Sequence, residues 1–300
     1  MPDSSVPSQH LLTLRDMMRY AISRFGQADL VFGHGNDNAW DEAAYLLLHT
    51  LHLPLDLLDP FLEARLLPEE REQCLSIIHR RTQERLPAAY LTGEAWLRGR
   101  RFIVDPRVII PRSHIAELLD EQLSPWVDDT MNVGSVLDLC TGSACLAILA
   151  AQAFPQAQVD AVDISEDALA VARQNVALYQ LQDRVTLHAS DLLDQLPRQP
   201  YDVILCNPPY VNAQSMQELP DEYKHEPSLA LAGGDDGMDL VRRLLRMAPE
   251  FLSPNGILVL EIGHEYENFV AAFPDLDPVW LETEASHDQV LLLNRDQLVS

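Results

Sequence analysis

The residues best suited to chemistry are Asn207-Pro208-Pro209-Tyr210, directly after the apolar run Asp202–Cys206. Two prolines after a strand stiffen the backbone. They hold the Asn207 side-chain oxygen and a backbone carbonyl in one orientation. Both are hydrogen-bond acceptors, and a pair of fixed acceptors suits a planar –NH2 group. Such a pair orients the nitrogen and stabilises the positive charge that develops as a methyl group arrives. Tyr210 adds a ring that packs on a flat substrate group. The bland alternative is a rigid turn without chemistry.

Three further places carry weaker signals. In VLDLCTGSACLAI, residues 136–148, a strand gives way through Thr141-Gly142-Ser143 to a helix. Small residues let a ligand approach the backbone, and a helix N-terminus offers free N–H groups. An ordinary strand-to-helix turn explains the segment equally well. Asp163 lies 21 residues beyond Gly142, at the end of VDAVDIS. An acid there grips ribose hydroxyls of a nucleotide cofactor, or else Asp163 or Ser165 merely caps the next helix. Asp191, in HASDLL, is a similar candidate, with a simple loop or cap acid as its alternative. No metal site is expected, because His114, His188, His225, His264 and His287 lack ligand spacing. Ser143 and Cys140 lack a His and acid arrangement for nucleophilic catalysis, and Cys206 reads as a buried strand residue.

These residues need a scaffold. From about Leu97 onward, apolar strand-like runs alternate with helical patterns. The strands are read at Ser135–Leu139, Gln158–Asp163, Val185–His188, Val203–Cys206, Gly256–Ile262 and Val290–Asn294. Helices are read at Glu166–Tyr179 and Met238–Leu252. Such alternation makes a mostly parallel sheet covered on both faces, with ligands beyond the carboxyl ends of its strands. Asp138, Thr141, Gly142, Asp163, Asp191 and Asn207 all fall just after strands or at their ends. The segment RRFIVDPRVII suits two short strands with a turn at Asp105-Pro106. The first 90 or so residues are helical. Leu11, Leu14, Met18, Ala21 and Phe25 recur at helical spacing. A second helix starts near Asp37, with Trp40, Ala43, Ala44, Leu47 and Leu51 inward. A third starts at Pro68, with Glu69 and Glu70 near its positive end.

The 300 residues suffice for one large domain or two modest ones. Residues 1–20 show no leader pattern, and no run approaches 18 apolar residues, so no membrane span is expected. Four cysteines without disulfide or zinc spacing point to a reducing, cytoplasmic compartment. With 46 acidic and 21 basic residues, the net charge of −25 repels nucleic acid and attracts basic partners. Residues 80–112 oppose this trend. Eight arginines against Glu84, Glu94 and Asp105 give +5, so the remainder carries −30. That stretch is either solvated and internally paired or a contact for an acidic partner such as RNA.

At PAAYLTGEAW (87–96), VDPRVIIPRS (104–113), DLCTGSACLAI (138–148), VDISEDALAVARQN (162–175), CNPPYV (206–211), HEPSLALAGGDDGMDL (225–240) and LEIGHE (260–265), the chain resembles the HemK family of protein glutamine methyltransferases. The resemblance runs from about Ala43 to the C-terminus. It implies an α/β fold: a Rossmann-like class I methyltransferase domain (113–300), a smaller N-terminal helical substrate-binding domain (1–95) and a β-hairpin linker (96–112). It implies S-adenosyl-L-methionine as cofactor and N5 of a protein glutamine as methyl acceptor. Asp163 would hold the ribose diol, Asp191 the adenine edge, and the Asp138–Gly142 turn, Thr141 included, the methionine part. Asn207 and the Pro208 carbonyl would bind the glutamine amide, with Tyr210 packed on it. Within the family, Pro-Arg-Ser-His-Ile at 111–115 and Cys140 resemble the branch acting on ribosomal protein L3, a basic protein. Ala144 departs from the family's usual glycine, and its methyl is expected to narrow the loop slightly without loss of the cofactor.

Other activities remain open. A release-factor glutamine methyltransferase shares these motifs. A DNA adenine methyltransferase also needs acceptors for an –NH2 group, but the charge and the lack of a long basic groove oppose direct DNA binding. A nicotinamide oxidoreductase explains Asp163 and leaves Asn207–Tyr210 idle. A non-catalytic binding module needs none of this chemistry.

Overall fold

The computed structural model describes residues 9–284 and 286–299. Part of the segment read for a leader, residues 1–8, lies outside them. The chain forms two compact units, residues 1–94 with 220–225, and residues 95–219 with 226–300.

In the smaller unit, α1 (Leu14–Gln27), α2 (Ala39–Thr50), α3 (Pro68–His79) and α4 (Ala88–Thr92) enclose a core. Thr13 and Asp16 form a capping box at the start of α1, and Asn38 caps α2. Pro68 opens α3 with Glu69 and Glu70 in its first turn. Leu14, Met18, Ala21 and Phe25 are buried as their spacing demands, while Leu11 is buried ahead of the helix. Trp40 corrects the inner face read for α2. It is 50% exposed, and Glu42, Leu46 and Leu48 are buried instead. Tertiary pairing explains the acid. Glu42 accepts from Arg81, itself 1% exposed, at 2.6 Å. Glu222 joins the same network through Arg85 at 2.8 Å and the Val31 N–H at 3.2 Å. Breaking such a buried pair leaves an uncompensated charge, which typically costs about 3–5 kcal/mol. This network holds residues 220–225 in the smaller unit, although their chain neighbours belong to the larger one.

The larger unit begins at residue 95, within β1 (Glu94–Leu97), which is followed by β2 (Arg100–Ile103). Their turn is Arg98-Gly99, not Asp105-Pro106. Both residues have positive φ, 49° and 72°, the geometry that closes a two-residue hairpin. Residues 104–113 contain no strand. The hairpin therefore counts with the larger unit rather than as a separate 96–112 linker. Next come α5 (Ile115–Asp120), β3 (Ser135–Leu139), α6 (Cys145–Ala153), β4 (Gln158–Asp163), α7 (Glu166–Leu178), β5 (Val185–Ala189) and β6 (Tyr201–Cys206). Then follow α8 (Ala213–Glu218), α9 (Asp239–Met247), β7 (Leu252–Glu261), α10 (Tyr266–Ala272), β8 (Val279–Leu281), β9 (Val290–Asn294) and α11 (Arg295–Val299).

Seven strands form one sheet in the order β5-β4-β3-β6-β7-β9-β8. The first five are parallel, and β9 runs antiparallel to β7 and β8. Strand side chains alternate between two buried layers. Val203, Leu205, Ile257 and Val259 enter one, and Ile204, Cys206, Leu258 and Leu260 the other. The order reverses direction from β3, with β4 on one side and β6 on the other. That is the switch point where ligand crevices open.

Candidate active site

At the end of β3, Asp138 is fully buried. Its Oδ2 accepts from Thr141 Oγ1 at 2.5 Å and from the Ala147 N–H in α6 at 3.0 Å. Oδ1 is buried with no partner among the described residues. Burial pushes the carboxyl up to about 7, against the pull of these two donors. An unsatisfied buried oxygen costs free energy, and a cationic group placed against it removes that cost. The turn that follows is sharp. Cys140, Gly142 and Ala144 have φ of 58°, 55° and 63°. Two side-chain-bearing residues thus occupy the left-handed region. Ala144, where a narrower loop was expected, is buried in the core layer.

Asp163, at the end of β4, is half-buried. Its Oδ2 accepts from the Gly142 N–H and its Oδ1 from the Ser165 N–H, both at 2.9 Å. Ser165 caps α7 through the Ala168 N–H, which leaves the capping role to Ser165. Burial raises the Asp163 carboxyl above the usual range. Ile164, overlooked in the sequence, follows with 53% exposure, an aliphatic surface beside that acid. Asp191, after β5, pairs with Arg243 at 3.0 Å and stays half-exposed. The arginine comes from α9, about fifty residues away in sequence, so no local pattern announced it.

Asn207 lies immediately beyond β6, which is hydrogen-bonded to β3 with Cys206 opposite Leu139. Asn207 is half-buried, and its side chain makes no hydrogen bond among the described residues. Pro208 and Pro209 are buried. The turn is braced from three directions. Val211 exchanges backbone hydrogen bonds with Leu231 and Gly233 at 2.8 and 2.9 Å. Gly237 (φ 79°) and Gly263 (φ 54°) take a conformation suited to glycine. A Cβ on Gly237 would collide with the Tyr210 carbonyl, and one on Gly263 with the Tyr210 ring. Two acids near the end of β7 complete the brace. Glu265 accepts from Asn212 Nδ2 at 2.8 Å. Glu261 accepts from Ser113 Oγ at 2.5 Å and the His114 N–H at 2.9 Å. Burial first, and then the nearby Glu261 charge, raises the Tyr210 phenol well above its ordinary value.

Glu261 and Glu265 stand in a motif quoted from the sequence, LEIGHE, without a role there. Their signal was two acids beside an apolar strand, too common a pattern to single out. Of the arginines at 80–112, Arg80, Arg81, Arg85, Arg98, Arg100, Arg107 and Arg112 each meet a carboxylate within the chain. Arg112 is bidentate on Glu226, at 2.6 and 2.8 Å. No helix among the described residues is long and apolar enough to cross a membrane.

Residues 116–221 match the methyltransferase small domain family. The chain is 68% identical over 290 residues to the ribosomal protein uL3 glutamine methyltransferase of Bordetella pertussis, covering 97% of each chain. It is 59% identical over 293 residues to the protein of the same name from Burkholderia pseudomallei, covering 95% of each. Against that of Neisseria meningitidis serogroup A, identity is 53% over 292 residues, covering 97% of this chain and 96% of the relative. Likeness of this extent spans both units and every turn described above: the chain belongs to the family of ribosomal protein uL3 glutamine methyltransferases.

Proposed function

We propose that this protein transfers the methyl group of S-adenosyl-L-methionine to the side-chain amide nitrogen of a glutamine in ribosomal protein L3. The observation that carries the reading is the Asn207 side chain, held at the end of β6 by a braced turn and left without a partner among the described residues. It stands next to the β3 turn with its orphaned Asp138 oxygen. The names of the relatives favour a ribosomal substrate over a release factor, and the net charge of −25 suits a basic one.

The residues present fit the cofactor. Asp138 Oδ1 would receive its ammonium group, Thr141 and Gly142 would shape the turn around its methionine part, and Asp163 would take the ribose hydroxyls. Asp191, oriented by Arg243, would meet the adenine edge, and Ile164 would offer an apolar surface to the purine. When bound, the cofactor supplies an activated sulfonium methyl. Asn207 and the Pro208 carbonyl hold the amide N–H groups, and Tyr210 packs on the amide plane. The amide nitrogen is a weak nucleophile, since its lone pair is delocalised. Alignment therefore carries much of the task, and positioning of this kind supplies roughly 7–11 kcal/mol. The proton leaves after the nitrogen has begun to gain positive charge, so no strong base is required. The arginines at 80–112 are engaged internally, which supports the paired reading of that stretch over an RNA contact.

The test is transfer from labelled S-adenosylmethionine to purified L3, with the methyl located by tandem mass spectrometry. A methyl on a glutamine side chain is the expected result. Label on another residue type, or none on L3 while a release factor is labelled, would overturn the assignment.

A further inference from the structure

We propose that His264 is a positioning residue for methyl transfer, confining the Tyr210 ring from the turn that follows β7. The inference rests on reading Asn207–Tyr210 as the amide-binding turn. The prolines, and the pairing of Val211 with Leu231 and Gly233, fix the backbone around Tyr210. They leave more than one staggered position open to its ring. What holds the ring comes from residues 262–265. The Glu265 N–H donates to the Ile262 carbonyl at 3.2 Å, which closes a turn with Gly263 and His264 at its centre. Gly263 has φ of 54°, in the left-handed region that glycine enters freely. The Tyr210 ring lies close against it. A Cβ added to Gly263 would stand 2.4 Å from Tyr210 Cε2 and 3.0 Å from the hydroxyl oxygen.

His264 is the next residue. Its imidazole meets Tyr210 in a T-shaped pair, with ring centroids 6.4 Å apart and planes at 90°. That is the geometry in which aromatic rings attract. The imidazole is itself held. Its Nε2 stands 3.4 Å from Glu265 Oε1. Glu265 is 2% exposed, and amides fix both its oxygens. Asn212 Nδ2 donates to Oε1 at 2.8 Å and Asn268 Nδ2 to Oε2 at 2.5 Å. A buried acid thus sets the place of an imidazole whose side chain is 60% exposed. A side chain so exposed adds little to a hydrophobic core, so packing of the unit does not account for His264. Its contact with the Tyr210 ring does. Gly263 bounds the ring, and His264 bounds its swing away from Gly263. A ring that swings would tilt the amide plane and misalign the nitrogen with the methyl group, and small misplacements of this kind are costly in rate.

The experiment compares His264→Ala with His264→Phe in transfer from labelled S-adenosylmethionine to purified L3. Both variants should melt close to the unaltered protein, because the side chain they replace is exposed. His264→Ala should lower kcat by about fivefold, the scale of one aromatic pair. The KM for L3 and the affinity for S-adenosylhomocysteine should be unchanged. His264→Phe keeps a ring that packs on Tyr210 but has no nitrogen to take a proton or a hydrogen bond. It should recover most of the lost kcat. A phenylalanine variant as slow as the alanine one overturns the proposal. So does an alanine variant at full rate, or a loss confined to KM or to cofactor affinity. A second readout is independent of turnover. In protein carrying 3-fluorotyrosine, the fluorine resonance that Tyr210→Phe removes should shift in His264→Ala. An unmoved resonance overturns the positioning role. Absence of glutamine methylation by the unaltered enzyme would instead count against the parent reading, with the resonance still deciding whether His264 holds the ring.

Discussion

Two neighbouring turns, at the ends of β3 and β6, reach their shapes by opposite means. The β3 turn places Cys140 and Ala144 in left-handed conformations and leaves a carboxylate oxygen buried without a partner among the described residues. The β6 turn is complete as it stands. Two buried prolines, backbone pairing with residues 231–233 and the glycines at 237 and 263 hold it. Asn207 is the polar group it offers outward. The difference follows from the tasks proposed for them. A site that binds a cofactor tightly gains from a ligand that relieves its own unsatisfied charge. A site that must align a weak nucleophile gains from geometry settled beforehand.

The comparison breaks most visibly at Asn207. Asn207→Ala should leave cofactor affinity and melting temperature nearly unchanged while lowering turnover by about 10²–10³, the usual cost of removing one preorganised polar group. Single-turnover transfer alongside a melting curve checks this. Near-normal transfer would remove Asn207 from the mechanism, and a proportionate loss of stability would make it a turn residue only.

Asp163→Ala should show the opposite profile. It would remove the charge-assisted hydrogen bonds proposed to the ribose and also release the Gly142 N–H that Asp163 now holds. A loss of about 10² in affinity is expected, from bonds worth roughly 1.5–3 kcal/mol each. Calorimetry with S-adenosylhomocysteine decides it; unchanged affinity would sink the ribose assignment.

The third prediction concerns pH. Asp138 holds its proton up to about 7 in the unliganded protein, because burial disfavours the charge. Its ionised form is the one that meets an ammonium group. Cofactor affinity should therefore fall as pH drops below about 7, by roughly tenfold per unit, as one linked proton requires. The stability term runs the opposite way. A folded-state value above the unfolded one stabilises at low pH, and that contribution is lost as pH rises from about 4 through about 7. Asp138→Asn should bind more weakly at high pH and flatten the dependence. A slope that persists in the variant would assign the proton elsewhere.

The smallest effect is expected at Ala144. Replacing it by glycine relieves left-handed strain of about 1–2 kcal/mol. It also loosens the unfolded chain by about 0.4–1 kcal/mol and gives up a buried methyl worth about 0.8 kcal/mol. These terms nearly cancel, so Ala144→Gly should move stability by less than about 1 kcal/mol and leave affinity alone. Thermal melting is the check. A gain well beyond that would mean the methyl is poorly buried.

Local pattern determined much of this protein. The parallel strands, the helix starts at Thr13, Asn38 and Pro68, and the strand-end places of Asp138, Asp163 and Asn207 all follow from period-2 and period-3.6 spacing and from proline and capping chemistry. These are interactions within a few residues, so they are written contiguously. Tertiary structure alone decided where long-range partners meet. Glu42 is buried although it is charged, because Arg81 arrives 39 residues later. Trp40 is exposed although it is apolar, because no other element covers it sufficiently. The hairpin turn moved to Arg98-Gly99, because both residues adopt the backbone that a two-residue loop demands. Ser113 and Glu261, 148 residues apart, face each other only once α5 packs against β7. A buried charge is tolerated where its partner stands, and for these acids the partner lies far away along the chain.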